Sequence, residues 1–304
     1  MEGRRILTNV LAQSESAPPE VRAKGLGAAG SLALRLGDHE KASKLLNESL
    51  LLSLEVGDQQ QAGHALNSLG STAWILGDYS EAKGYYERSL AIFRQVKNRW
   101  GISAALHGVG LITFGQGKLE RARSLYEESL AIKREIGDQV NVALTLNNLG
   151  NVAYHLKDYE AAIAQHNESL AIRREIGDQG GISRSLNNIG IIYIAQGEHQ
   201  RARKLFEESL SIRKSIDDRR GISSTLTSLG YLELALRNHE CARRTLEESL
   251  RTKHELGDKQ GMAETLVGIS TCCIAERQLT TAGQLLGAVG QLLQVMQGAL
   301  KPDY

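Results

Sequence analysis

Proline is nearly missing from this chain. It occurs three times in 304 residues, twice side by side at Pro18-Pro19, so no proline-rich linker separates domains. Cysteine is as scarce, with three residues, which excludes a disulfide framework and fits a reduced, cytoplasmic setting. Charge of one sign is missing too. The 36 Lys and Arg stand against 35 Asp and Glu, and a formal charge of +1 gives no field that would collect nucleic acid or an anionic membrane. No apolar run is long enough to span a bilayer, and the short, interrupted apolar stretch after Met1-Glu2-Gly3-Arg4-Arg5 does not make a signal peptide.

What the chain has is repetition. Glu-Ser-Leu returns every forty residues, at Glu48-Ser49-Leu50, Glu128-Ser129-Leu130, Glu168-Ser169-Leu170, Glu208-Ser209-Leu210 and Glu248-Ser249-Leu250, with Arg88-Ser89-Leu90 in the one gap. A fixed period near forty means one supersecondary unit copied in tandem, each copy burying its apolar face against its neighbours. Residues 1–304 therefore read as one continuous domain. A second punctuation falls every twenty residues, with Gly at 37, 57, 77, 117, 137, 177, 197 and 257 and Lys97, Lys157, Asp217, Arg237 and Arg277 at the remaining points. Gly accepts the left-handed conformation that ends a helix, and the Asp that often follows accepts hydrogen bonds from the free amides of the next one. Each point predicts a helix–helix corner, and Asp58 with Gln61 and Asp78 with Glu81 have capping-box spacing.

About eighteen residues, roughly 27 Å of helix, separate the corners. One helix of each unit, such as Gln139 to Leu156, carries almost no charge. The other, such as Tyr159 to Ile176, carries Glu168, Arg173, Arg174 and Glu175. The uncharged helices are expected inside a curve and the charged ones against bulk water, so the run Arg173-Arg174-Glu175 reads as a solvated convex face.

These columns resemble the tetratricopeptide repeat. The likeness rests on Leu69-Gly70, Leu149-Gly150, Ile189-Gly190 and Leu229-Gly230 in the first helix, Gly77-Asp78-Tyr79 at a corner, and Ala82, Ala122, Ala162, Ala202 and Ala242 in the second helix. The period of forty resembles the long-helix subgroup that includes kinesin light chain. The resemblance implies an all-α, right-handed superhelical solenoid of antiparallel helix hairpins, with pairs near 20–57, 58–97, 98–137, 138–177, 178–217, 218–257 and 258–298. Residues 1–17 are expected to form an N-terminal half-repeat helix, 20–277 the repeated hairpins and 278–304 an apolar C-terminal helix. Ala282-Gly283-Gln284-Leu285-Leu286-Gly287-Ala288 resembles the closing segment of repeat regions in bacterial signal-transduction ATPases and transcription regulators.

Chemistry-bearing motifs are weak. Gly25-Leu26-Gly27-Ala28-Ala29-Gly30 spells a dinucleotide fingerprint but lies inside a predicted helix, without the strand that motif needs, so no cofactor is expected. Adjacent Cys272 and Cys273 point about 100° apart on a helix and read as small buried thiols, and the eight His lack metal spacing. No nucleophile–base pair is visible, and neither a catalytic nor a metal site is expected. Glu233 replaces the small or apolar residue of other repeats and is expected to be paired where it is buried.

The candidate site is the concave groove. Asn67, His107, Asn147, Asn187 and Thr227 share one position of the repeat, and Asn151 lies a turn beyond Asn147. An amide offers donor and acceptor at once, so a ladder of amides holds the backbone of an extended peptide, as the resemblance to kinesin-light-chain repeats implies; packing between repeats is the alternative. Trp74, Phe114 and Tyr154 fall a further turn along, as an apolar anchor or as core, and His64 and Arg184 fall a turn before, where Arg184 would pair with a carboxylate. The expected function is noncatalytic protein or peptide binding. The alternative is a ligand-sensing regulatory arm, and helix 279–300 is a surface for self-association or a neighbouring domain.

Overall fold

The computed structural model describes residues 17–298; residues 1–16 of the expected half-repeat lie outside this range. Its helices are α1 Pro19–Arg35, α2 His39–Glu55, α3 Gln59–Leu76, α4 Tyr79–Gln95, α5 Arg99–Gly115, α6 Leu119–Glu135, α7 Gln139–His155, α8 Tyr159–Glu175, α9 Gln179–Ala195, α10 His199–Ser215, α11 Arg219–Ala235, α12 His239–Glu255, α13 Lys259–Ala275 and α14 Leu279–Gly298. Among the described residues there is no strand. The chain divides into two compact units between Asp138 and Gln139, where the sequence reads as one domain. Hairpins α1–α2, α3–α4 and α5–α6 form the first unit, and α7–α8, α9–α10, α11–α12 and α13–α14 form the second.

The corners fall where the twenty-residue punctuation puts them. Every Gly of that series has a positive φ, and so do Lys97, Lys157, Asp217, Arg237 and Arg277, at φ between 53° and 63°. The next residue serves two helices at once. At the first corner Asp38 donates its amide to Ala33 O, closing α1 in a Schellman pattern, and its carboxylate accepts from the Lys41 amide to cap α2. Asp58 and Asp78 cap Gln61 and Glu81 in the expected spacing.

Two columns explain why the hairpins close so alike. The Ser of each repeated triplet is fully buried and donates across its hairpin to a first-helix carbonyl: Ser49 to Ala23, Ser89 to Gly63, Ser129 to Ser103, Ser169 to Ala143, Ser209 to Ser183 and Ser249 to Ser223. The Gly after Leu, Ile or Val in the first helix meets a bulky second-helix residue. A Cβ at Gly190 would sit 2.5 Å from the Phe206 ring, and Gly70, Gly110, Gly150 and Gly230 face Tyr86, Tyr126, His166 and Leu246 in the same way. Bulk on one helix is matched by its absence on the other, which lets the axes approach closely.

Within each unit neighbouring first helices touch one another (α1 with α3, α3 with α5; α7 with α9, α9 with α11, α11 with α13), while no second helices do so to a comparable extent among the described residues. The first-helix layer is therefore the tighter, inner side of each unit. Outside, single ion pairs span successive second helices: Arg94–Glu128 at 3.1 Å in the first unit and Arg174–Glu208 at 3.5 Å in the second. On α14, Ala282 is buried against α13, whereas Leu279, Leu286 and Leu293 are exposed.

Candidate functional site

The expected amide ladder does not lie open. Asn147 and Asn187 are each 4% exposed, His107 and Thr227 are also buried, and only Asn67 is half-buried. Their position faces a second buried column, on the second helix of the same hairpin, that holds cations. Lys133 Nζ lies 3.3 Å from His107 Nδ1, and Lys253 Nζ donates to Thr227 Oγ1 at 2.8 Å, with further bonds to Thr265 Oγ1 at 2.9 Å and Gly261 O at 3.2 Å. Arg173 and Arg213 occupy the same column in the hairpins of Asn147 and Asn187. Arg173 donates to Ser169 Oγ at 3.0 Å and lies 3.5 Å from Asp178; Arg213 donates to Ser183 Oγ at 3.3 Å and to Gly221 O.

This corrects the expectation that Arg173 belongs to a solvated face: it is 3% exposed, and its neighbour Arg174 makes the surface pair. Burial lowers all four cations below their ordinary values, taking Lys133 to about 8 and Arg213 to about 10. They are tolerated because each sits in the last turn of its helix, at the negative end of the dipole, and finds at least one oxygen or nitrogen acceptor. Burial and Lys133 together hold His107 well below 6.5, which suits a neutral ring accepting from the ammonium.

The open inner wall lies one residue further along each first helix. In the second unit it comprises Leu144, Asn148, Asn151 and His155 on α7, Arg184, Asn188 and Ile191 on α9, Ser224 and Tyr231 on α11, and Glu264 and Thr271 on α13, all half-buried or exposed. Asn188, which the ladder reading passed over, ties the amides together, donating to Asn147 Oδ1 at 3.1 Å and to Asn151 Oδ1 at 3.4 Å. Arg184 is exposed and makes no salt bridge among the described residues. Tyr231 Oη donates to Glu264 O at 2.8 Å.

The other candidates are scattered. His64 is half-buried between Phe93, at 5.0 Å, and Trp100, at 5.4 Å, and burial lowers its pKa. Trp74 is exposed and Phe114 half-buried in the first unit; Tyr154 belongs to the second unit, where its ring packs on His155 and Tyr159. Glu233 is buried and paired as expected, with Arg203 at 2.6 Å and Asn238 at 2.8 Å. Burial pushes its carboxyl up, but the bonds from Asn238 and Arg203 outweigh that and hold it below the ordinary value. Cys272 and Cys273 are buried free thiols. Among the described residues no group of three or more His, Cys, Asp or Glu is placed to hold a metal, and no helix is long and apolar enough to cross a membrane.

These features define an all-α helical-repeat protein. The tetratricopeptide repeat profile matches residues 22–95, 101–175, 141–215 and 181–255, and the chain belongs to that family. No curated protein matches the sequence. Among solved structures it is similar to BtubC of P. vanneervenii, with 23% identity, a TM-score of 0.60, and 71% of this chain and 90% of that one covered. The Rap conjugation gene regulator of plasmid pLS20, in complex with the Phr* peptide, matches with 13% identity and a TM-score of 0.73 over 93% and 78% of the two chains. A signal transduction ATPase with a tetratricopeptide repeat sensor, from Pyrococcus horikoshii, matches with 18% identity and a TM-score of 0.66, over 92% of this chain and 44% of that one. At these identities the likeness concerns the fold.

Proposed function

We propose that the chain is a noncatalytic binding protein that holds an extended protein or peptide segment against the inner wall of its second unit. The observation that carries this reading is the cluster of Asn148, Asn151 and Asn188 on the one face where neighbouring first helices meet. Amides there offer donors and acceptors to a passing backbone without selecting a side chain, while Ile191 and Tyr231 supply apolar area. The peptide in the similar Rap structure supports the same class of ligand. Random displayed peptides selected on the full chain test this. Asn148→Ala with Asn188→Ala should weaken the selected peptides about tenfold or more and keep the helical fold, with a modest fall in melting from the orphaned Asn147 Oδ1, whereas loss of the fold along with binding would assign the amides to packing.

A second reading, a ligand-sensing regulatory arm, is favoured by the Ala282–Ala288 segment and by the repeat sensor of the Pyrococcus ATPase. It requires ligand to change the span of the array, and X-ray scattering that stays constant at saturating peptide would count against it.

A further inference from the structure

The forty-residue period puts Leu144, Arg184, Ser224 and Glu264 in one row, at the same height on α7, α9, α11 and α13. Arg184, Ser224 and Glu264 are exposed, and Arg184 and Glu264 are the charged side chains of this row, with the exposed Arg220 one turn before Ser224. The rest of the wall offers amides, hydroxyls, one imidazole and apolar groups.

Neither Arg184 nor Glu264 makes a salt bridge among the described residues. Arg184 stands close enough to Arg173 and Arg213 that its like charge adds to burial in lowering both, while Asp178 acts on Arg173 and Asp218 on Arg213 in the opposite sense. Arg184 is thus an exposed cation beside two buried ones. At the other end the buried Lys253 ammonium feels Glu264 most and Asp258 next, so Glu264 lies within the field of one buried cation. Asp258 caps the Gly261 amide, while the Glu264 side chain is exposed and can face a ligand.

Geometry turns the two charges into a spacing. Successive first helices touch from α9 to α11 and from α11 to α13. At about 8–10 Å between packed axes, Arg184 and Glu264 lie roughly 20 Å apart along the row. An extended backbone advances about 3.3 Å per residue, so this distance corresponds to about six residues. We propose that the ligand of this wall is an extended peptide segment carrying a carboxylate side chain and, about six residues away, a cationic one, the carboxylate lying at Arg184 and the cation at Glu264. The proposal rests on the peptide-binding reading and adds the ligand's charge pattern and its orientation along the array. Two opposite charges at fixed ends favour one direction of the segment and oppose the other, because the reversed segment meets like charge at both ends.

The test uses random displayed peptides selected on the full chain. Enriched peptides should carry an acidic and a basic residue about six positions apart. A synthetic copy of the best one should lose about tenfold in affinity when its two charged residues are exchanged. Arg184→Glu combined with Glu264→Arg should reverse that preference, and the exposed positions of both residues favour an intact fold. Arg184→Gln should flatten the salt dependence of binding even if the reversed pair folds poorly. Enriched peptides without the spaced charges, or a best peptide that binds Arg184→Glu as well as the native chain, would overturn the charge pattern and leave peptide binding standing. No enrichment at all would overturn both.

Discussion

Acidification should weaken this fold through one histidine. His166 of α8 is 1% exposed, lies against Gly150, and has no hydrogen-bond partner at Nδ1. Burial, with a smaller contribution from the Arg173 cation, lowers its pKa from 6.5 to about 4. The folded state therefore binds the proton less well than the unfolded chain does. The stability tied to a neutral His166 is present above pH 6.5 and is lost as pH falls from there toward 4. A depression of about 2.5 units corresponds to about 3 kcal/mol in full, of which about 2 kcal/mol should be gone by pH 5. The equivalent position holds Tyr86, Tyr126, Phe206 and Leu246 in other repeats, so an apolar ring fits against the glycine. His166→Phe should then fold normally and lose about 2 kcal/mol less than the native chain between pH 7.5 and pH 5. Urea unfolding followed by circular dichroism at the two pH values measures this. His107 titrates in both proteins and cancels in the comparison. Parallel pH dependence of the two chains would refute the reasoning, because it would mean that His166 is protonated as easily folded as unfolded.

Two further substitutions test the packing. Gly190→Ala places a methyl 2.5 Å from the Phe206 ring and should lower stability by about 1–3 kcal/mol, and trimming the ring in Gly190→Ala with Phe206→Leu should recover part of the loss in the same urea assay. Lys157→Gly should raise stability by about 1 kcal/mol, since a non-glycine residue at φ 63° is strained there; an unchanged or lower urea midpoint would show that the lysine side chain contributes more than the strain.

The corners and the hairpin pairing were legible because they depend on local chemistry repeated many times. A left-handed corner admits Gly readily, and the period then exposes Lys97, Lys157, Asp217, Arg237 and Arg277 as corners that their own residue types would never suggest. The reason for the Ser column was not legible. Its partner is a backbone carbonyl 26 residues earlier, and a carbonyl leaves no mark on the sequence. The amide column was read at Asn147 and Asn187, one residue short of the half-buried Asn148 and Asn188, and that residue matters. Adjacent positions on a helix differ by about 100°, enough to carry Asn147 into the interior while Asn148 reaches the wall, and to bury Arg173 while Arg174 pairs in solvent.

Polarity usually settles such a choice, because polar residues are assigned to the surface. Here it fails because the interior itself is polar along one seam. Ser, Asn, Thr and His side chains line up with Lys and Arg, and each of these buried cations sits in the last turn of its helix. A pattern reader therefore sees two polar columns and cannot rank them. The structure ranks them by what each touches. His107 and Thr227 of the first column meet the buried cations, so in the proposed function the ligand would face the column beside it, at Asn148 and Asn188, with Arg184 one turn earlier.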